Sequence, residues 1–286
     1  MSTELFLITH KPEPIEGLSP YRPILAGAEI DAPEGYLRDD IGENISALNP
    51  IYNEMTAIYW VYRHLDEFPE LDHVGFCHYR RFLCFQYFGK PVLVRKKARP
   101  DWVNIDEKQF QSFWKEFDII VPCSHYVRSV RRHYEKSHNK EDLGILEEII
   151  GKICPQYLES FQEYIDGDEE YLYNMFVLPC DLFLAYGDFI FPVLEAFAKE
   201  RPYKEERMFA SERLTGVFLH HLRKSGKRAL ECPVLLTRNR SLRLAFAQTK
   251  ENFKKHPEFG FFFKTKPLWL TLLPRFFEQR LRNWRQ

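Results

Sequence analysis

The densest group of side chains suited to chemistry is Cys77-His78-Tyr79-Arg80-Arg81. Two guanidinium groups and an imidazole follow an apolar run, so they predict a compact cationic site at the end of a buried strand. Guanidinium groups present planar pairs of donors that suit phosphate oxygens. A pair of surface arginines with one buried salt bridge is the alternative that the same residues allow.

Two acidic segments offer carboxylates for acid–base work or for binding hydroxyl groups. Glu212 lies at the start of an amphipathic helix, where it is either a general base or a first-turn acid favoured by the helix dipole, with Ser211 as the cap. The segment 39–46 carries Asp40 and Asn44 on a glycine-containing turn. It suits a ribose or sugar hydroxyl, but a solvated turn has the same composition.

Several common motifs are absent from the sequence: the P-loop, the dinucleotide-binding G-x-G-x-x-G, the hydrolase elbow G-x-S-x-G and the zinc motif H-E-x-x-H. The one Asp-x-Asp is Asp166-Gly167-Asp168, and its Asp-Gly pair predicts a turn between a helix and a strand rather than a metal site. No cofactor is expected, and the sequence leaves a requirement for a divalent metal open.

Short apolar runs alternate with amphipathic helical patterns and predict an α/β layered fold with a mostly parallel sheet flanked by helices. Because ligands gather at the carboxyl ends of strands in such sheets, Thr9–Lys11 and His78–Arg81 are expected to lie at the site. An Asn49-Pro50 start predicts a helix to about Leu65, and Asp106 with Gln109 predicts a capping box. The polar stretch 124–139 predicts a long loop, and 173–178 predicts a strand.

The chain has 286 residues, 40 basic and 41 acidic side chains and a formal net charge of −1. This balance argues against nucleic-acid binding by the whole protein. Six scattered cysteines without C-x-x-C spacing favour reduced thiols and a cytoplasmic location, and neither a secretory signal nor a membrane-spanning run is predicted.

The last residues differ in composition from the rest. We divide the chain into a domain at 1–245 and a basic, aromatic tail at 246–286. From Gly260 onward six basic residues accompany seven aromatic ones against a single acid, Glu278. Such a segment suits an anionic membrane surface, and a helix packed on the core with a basic outer face is the alternative.

Taken in order, several motifs resemble the domain of unknown function 4422 family of capsular and exopolysaccharide biosynthesis proteins, over about residues 4–240. These motifs are Ile8-Thr9-His10-Lys11-Pro12, Asp40-x-Gly42-x-Asn44-Ile45-Ser46, Asn49-Pro50-x-Tyr52-Asn53-Glu54-x-Thr56-Ala57-x-Tyr59-Trp60, Gly75-x-Cys77-His78-Tyr79-Arg80-Arg81, Tyr173-Asn174-Met175-Phe176 and Ser211-Glu212-Arg213-Leu214.

The resemblance implies a bacterial glycosyltransferase with a GT-A-like fold and a UDP-sugar donor, in some members galactofuranose. Where ordinary GT-A enzymes carry an Asp-x-Asp for a metal, this chain carries His78-Tyr79-Arg80-Arg81, so Arg80 and Arg81 are expected to neutralise the departing diphosphate. An inverting single displacement is expected, with Glu212 as the first candidate for the base and Asp40 as the second.

The remaining expected roles also follow from the resemblance. Donor binding is assigned to Thr9, His10, Lys11, Asn44, His78 and Tyr79, and acceptor binding to Asn174 and His138. A lipid-linked oligosaccharide acceptor would place the protein peripherally on the inner face of the cytoplasmic membrane. A phosphate-ester hydrolase and a non-catalytic membrane scaffold are the alternative functions.

Overall fold

The first strand shows how the central sheet is buried. In a computed structural model, which describes residues 2–11, 17–27, 32–86, 92–94, 100–201 and 208–237, this strand is β1 (Thr3–Thr9). Leu5 and Leu7 enter one hydrophobic core, whereas Phe6 and Ile8 enter a second core on the other face. Burial on both faces explains why the run is apolar throughout instead of alternating.

The central sheet is mixed but mostly parallel along its main path. Its order is β11-β7-β10-β4-β1-β2-β3, and only β10 runs antiparallel to its neighbours β4 and β7. Strand β5 joins β4 and β12, β12 also pairs with β6, and β8 and β9 form a separate pair. The strands after β1 are β2 (Tyr21–Leu25), β3 (Leu37–Arg38), β4 (His73–His78), β5 (Arg81–Leu83), β6 (Val92–Val94), β7 (Ile119–Pro122), β8 (His125–Tyr126), β9 (Glu169–Glu170), β10 (Phe176–Pro179), β11 (Ala229–Cys232) and β12 (Val234–Leu236).

Helices cover both faces of this sheet. The larger core lies between the sheet and α2, α6, α7, α8 and α9, and the smaller core includes Phe110 of α4. The layered α/β fold with helices flanking the sheet is therefore confirmed. The helices are α1 (Asn49–Tyr52), α2 (Met55–Arg63), α3 (Pro100–Val103), α4 (Glu107–Glu116), α5 (Val130–Glu135), α6 (Asp142–Ile153), α7 (Leu158–Asp166), α8 (Cys180–Glu200) and α9 (Ala210–Lys224).

Two local predictions, the capping box at Asp106 and the turn at 166–168, are confirmed. At α4, Asp106 Oδ1 accepts from the backbone nitrogen of Gln109 at 2.8 Å, and Gln109 Oε1 accepts from the backbone nitrogen of Asp106 at 2.9 Å. The Asp166-Gly167-Asp168 run connects the end of α7 to β9, as the turn interpretation required.

The predicted loop at 124–139 is wrong, because the segment contains β8 and α5. Ser129 caps α5 by accepting a hydrogen bond from the backbone nitrogen of Arg132 at 3.2 Å. Val130 and Tyr134, four residues apart, are both buried by the helix. The polar side chains of the helix, those of residues 131–133 and 135, are partly or fully exposed, so α5 is a short amphipathic helix.

Two further boundaries differ from prediction where the backbone adopts positive φ. The helix expected from Asn49 is interrupted at Asn53 (φ 53°), which ends α1 and leaves Glu54 directly before α2. Strand β10 begins at Phe176 rather than at Tyr173, because Tyr173 (φ 82°) and Asn174 (φ 46°) turn the chain first. Left-handed backbone is compatible with asparagine and is unusual for tyrosine.

The basic, aromatic tail at 246–286 and the domain boundary at 245 lie outside the described residues. None of the helices within the described ranges combines the length and the apolar character needed to cross a bilayer.

Candidate active site

The carboxyl ends of β1 and β4 bring the two predicted polar segments together. The strands pair in parallel with Ile8 opposite His78, and Tyr79 continues the pairing by donating its backbone N–H to Ile8 at 3.0 Å. The rings of His10 and Tyr79 meet edge to face with centroids 4.8 Å apart. The structure therefore places these two segments side by side at one edge of the sheet.

The loop after β1 is held by Thr9, which is buried. Its hydroxyl donates to the carbonyl oxygen of Lys11 and accepts from the backbone nitrogen of Lys11 at 3.1 Å. The side chains of His10 and Lys11 are exposed beyond this turn. The turn thus presents an imidazole and an ammonium group at the edge of the sheet.

Residues His78–Arg81, here called the cationic turn, separate their two arginines. Arg81 pairs with His78 across the β4–β5 turn, its Nη1 lies 3.3 Å from His78 Nδ1, and its guanidinium stacks over the Tyr173 ring at 4.6 Å. Arg80 is exposed and lies over the Tyr79 ring at 4.6 Å. One guanidinium therefore faces the Tyr173 side of the site, and the other faces the His10 side.

His78 is a neutral imidazole inside the site. Burial lowers the pKa of His78 to about 4, with Glu54 opposing the shift and Arg81 adding to it. Its Nε2 is buried and has no hydrogen-bond partner among the described residues. The positive charge of the cationic turn at neutral pH therefore comes from its guanidinium groups.

Asn174 connects elements that are distant in the sequence. It is 1% exposed and donates from Nδ2 to Glu54 Oε1 at 2.9 Å and to Ser211 Oγ at 3.2 Å, while its Oδ1 accepts from Thr215 Oγ1 at 2.7 Å. These contacts join the chain before β10 to the starts of α2 and α9. Because its amide is used inside the protein, Asn174 acts in this structure as a positioning residue.

Glu212 lies at the start of α9 with its side chain 25% exposed. Burial raises the pKa of Glu212, Arg213 opposes the shift, and the neighbouring Glu54 adds to it. Arg213 Nη1 lies 3.6 Å from Glu212 Oε2. The result is a partly accessible carboxylate with increased proton affinity, close to a second carboxylate and to the charge of Arg81.

Arg213, the neighbour of Glu212, also forms a buried ion pair with Glu170. The side chain of Arg213 is 5% exposed, and its Nη2 lies 3.4 Å from Glu170 Oε2. Glu170 is fully buried and its Oε1 is 2.7 Å from His133 Nδ1. Arg213 thus lies between two carboxylates, one inside the protein and one at the site.

The side chains of Asp40 and Asn44 make hydrogen bonds within the segment that contains β3 and the loop after it. Arg38 binds Asp40 through two hydrogen bonds of 2.9 and 2.7 Å, and this pairing lowers the pKa of the Asp40 carboxyl. The Asn44 amide donates to the carbonyl oxygens of Gly42 at 2.8 Å and Asp40 at 3.2 Å. Both side chains stabilise the turn itself.

His138 lies near the first residues of α9. Its ring packs on Tyr134 with centroids 4.7 Å apart and stacks on Phe209, also at 4.7 Å. Phe209 is 43% exposed and directly precedes α9. Residues three apart at the start of a helix share a face, so this aromatic pair lies on the same side of α9 as Glu212.

Glu54, Arg213, Glu170 and Tyr173 were not among the residues predicted for the site. Glu54 lies in the 49–60 motif that carries the family resemblance, so the sequence offered a reason to consider it. No rule of residue spacing, however, predicts its contact with Asn174. In the ranges that the structure describes, no group of three or more His, Cys, Asp or Glu side chains is arranged to hold a metal ion.

The strand order and the helices on both faces define a GT-A-like layered α/β fold, with the polar site at the strand ends. The chain belongs to the DUF4422 family, a domain of unknown function whose model matches residues 4–224. No curated protein matches it in sequence.

One solved structure is similar over most of the chain. It is the WbbM bifunctional glycosyltransferase in its apo form, with a TM-score of 0.73 and 26% sequence identity. The match covers 84% of this chain and 46% of WbbM, so the chain corresponds to about half the length of that protein.

Proposed function

We propose that this protein is a glycosyltransferase that transfers a sugar from a UDP-sugar, galactofuranose or galactose, to a growing capsular polysaccharide, exopolysaccharide or O-antigen acceptor. The structural similarity to WbbM supports glycosyl transfer in general. The observation that carries the proposal is the position of Arg81, which pairs with His78 at the end of β4 and is close enough to act electrostatically on the partly exposed carboxylate of Glu212.

The arginines bind and neutralise the departing diphosphate. Arg81 is held between His78 and Tyr173, which restricts its guanidinium to one side of the site. Arg80 approaches from the Tyr79 side. Preorganised cations aimed at developing negative charge lower the barrier because no reorganisation is needed during the reaction.

Glu212 removes the proton from the attacking acceptor hydroxyl, and the displacement inverts the anomeric carbon. Its raised pKa matches a general base better than the lowered pKa of Asp40, which is paired with Arg38. Asp40 remains the second candidate because its loop also follows a strand of the sheet. Its Arg38 partner would have to leave before it could act.

The remaining contacts divide between donor and acceptor. The segment Thr9–Lys11, whose His10 ring contacts Tyr79, meets the nucleotide. Asn44, on the loop after β3, is assigned to hydroxyl binding. His138, stacked on Phe209, lies at the start of α9 and meets the acceptor. Asn174 acts on the site through Glu54 and Ser211.

The acceptor is a lipid-linked oligosaccharide, and the protein works at the inner face of the cytoplasmic membrane, with the tail 246–286 binding anionic lipid. The support is the composition of the tail, which combines cations with aromatic side chains. Removing residues 260–286 should abolish sedimentation with anionic vesicles while leaving donor turnover in solution. Unchanged sedimentation would reject the membrane role.

Donor turnover tests the function directly. The protein is incubated with UDP-galactofuranose, UDP-galactose and UDP-glucose, with and without an acceptor extract, and UDP release is measured. A transferase releases UDP at a rate that rises with acceptor. Acceptor-independent release of inorganic phosphate would indicate a phosphate-ester hydrolase, and the absence of a thermal shift with UDP would favour a scaffold.

A further inference from the structure

Glu54 occupies a position that the family assignment leaves without a role. It directly precedes α2, where the break at Asn53 brings its side chain to the same end of the sheet as the cationic turn. Its electrostatic neighbours are His78 at the end of β4 and Glu212 at the start of α9. This carboxylate therefore acts electrostatically on both the cationic turn and the candidate base, and Asn174 connects it by hydrogen bonds to Ser211, the neighbour of that base.

One oxygen of Glu54 is anchored by a network with defined donors. Ser211 Oγ donates to the carbonyl oxygen of Met208 at 3.1 Å, so it accepts from Asn174 Nδ2, and the Asn174 Oδ1 accepts from Thr215. These two contacts fix which end of the amide faces Glu54. The NH₂ group donates to Oε1 of Glu54.

The second oxygen of Glu54 is available to a ligand. Among the described residues, Oε1 takes part in a hydrogen bond and Oε2 accepts none, and the residue is partly exposed. Asn174 is almost fully buried, and its amide makes two further hydrogen bonds, to Ser211 and Thr215, which restrict its movement. A carboxylate held by one oxygen, with the other oxygen open, is a rigid acceptor for a hydroxyl group.

We propose that Glu54 binds a hydroxyl group of the sugar that is transferred. This inference rests on the proposed function: if the arginines of the cationic turn hold the diphosphate, the attached sugar lies next to them, where Glu54 is. The carboxylate accepts a charge-assisted hydrogen bond from the sugar and orients the ring for attack. Glu54 thus contributes to sugar specificity, whereas the nucleotide and the diphosphate bind elsewhere.

The test compares the affinities of two ligands that differ only in the sugar. Dissociation constants for UDP and for the UDP-sugar that is turned over are measured by calorimetry without acceptor, on the full chain and on Glu54→Gln. A lost charge-assisted hydrogen bond should weaken UDP-sugar binding by about tenfold or more, with UDP binding unchanged. Glu67→Gln, an exposed carboxylate near the end of α2, is the matched control and should change neither constant.

Glu54→Asp provides a second variant that keeps the charge. Its carboxylate is one methylene shorter and cannot reach both Asn174 and the sugar, so it should lose the same sugar-dependent affinity. An equal loss of UDP and UDP-sugar affinity, or no loss in either variant, would overturn the role of Glu54 while the proposed function stands. If the wild-type protein binds neither ligand, the proposed function itself fails.

Discussion

The side-chain nitrogen of Asn174 donates a hydrogen bond of 2.9 Å to Glu54, although 120 residues separate them in the sequence. The contact depends on the left-handed backbone of Asn174, which turns the chain just before β10. Strand β10 runs antiparallel to β4 with Phe176 opposite Phe76, so the residues before β10 lie beside the end of β4. An irregular turn thereby positions one carboxylate of the site.

Asn174→Gly tests this positioning. Glycine accepts the positive φ without strain, so the variant removes the amide and leaves the turn possible. We expect kcat/KM to fall about tenfold or more, because Glu54 loses its anchor, and stability to fall by about 1–3 kcal/mol, because buried partners lose their hydrogen bonds. Steady-state kinetics and urea unfolding measure the two effects. Wild-type kcat/KM in a folded variant would show that the anchor is unimportant.

Much of the fold could be predicted because it depends on local patterns. The apolar run of β1, the Asp106–Gln109 capping box and the long helix α8 all follow from residues close in sequence. The position of Thr9–Lys11 and of the cationic turn at the carboxyl ends of strands was also predicted, and the parallel pairing of β1 with β4 places both ends at one edge of the sheet.

What could not be predicted depends on the contacts of individual polar side chains, some of them between residues far apart in the sequence. The break at Asn53 is stabilised by Asn49, whose Nδ2 donates to the carbonyl oxygen of Asn53 at 2.7 Å, in a stretch that otherwise has a helical pattern. The buried pair of Arg213 and Glu170 requires α9 to pack near β9, which no local signal indicates. The site carboxylate Glu54 was overlooked for the same reason.

The two arginines of the cationic turn should each be required for turnover. Arg80→Ala and Arg81→Ala are expected to lower kcat by about a hundredfold, because each removes a cation to which we assign neutralisation of the departing diphosphate. EDTA should have little effect on the wild-type rate. Arg228→Ala, which breaks an ion pair with Asp118 at the start of β7, is the control and should keep its activity. Strong inhibition by EDTA would contradict the assignment.

Glu212→Gln should reduce transfer by about 10²-fold or more, as expected for loss of a general base. Asp40→Asn should retain transfer, because Asp40 is already paired with Arg38. Since the base must be ionised and burial raises the pKa of Glu212, kcat/KM of the wild type should rise with pH through that pKa. Transfer by Glu212→Gln at the wild-type rate would exclude Glu212 as the base.

His125 should make the stability of the protein depend on pH. It is 1% exposed, its two ring nitrogens have no hydrogen-bond partner among the described residues, and burial lowers its pKa to about 4 from a usual 6.5, with Glu170 opposing the shift. The unfolded chain therefore binds a proton between pH 6.5 and 4 that the folded chain does not. The stabilisation is present above pH 6.5 and is lost as the pH falls towards 4.

The expected slope is about 1.4 kcal/mol per pH unit for each such histidine, and His78 adds a second one because its pKa is lowered in the same way. His125→Gln should reduce the slope of the unfolding free energy against pH, between about pH 4.5 and 6.5, by the contribution of one histidine. His220→Gln, at a partly exposed position of α9, is the control. Urea unfolding at a series of pH values measures the slopes. Equal slopes for His125→Gln and the wild type would contradict the prediction, because they would mean that His125 takes up its proton in the folded protein as readily as in the unfolded chain. We expect unequal slopes, because a buried imidazolium lacks the solvation that stabilises its charge.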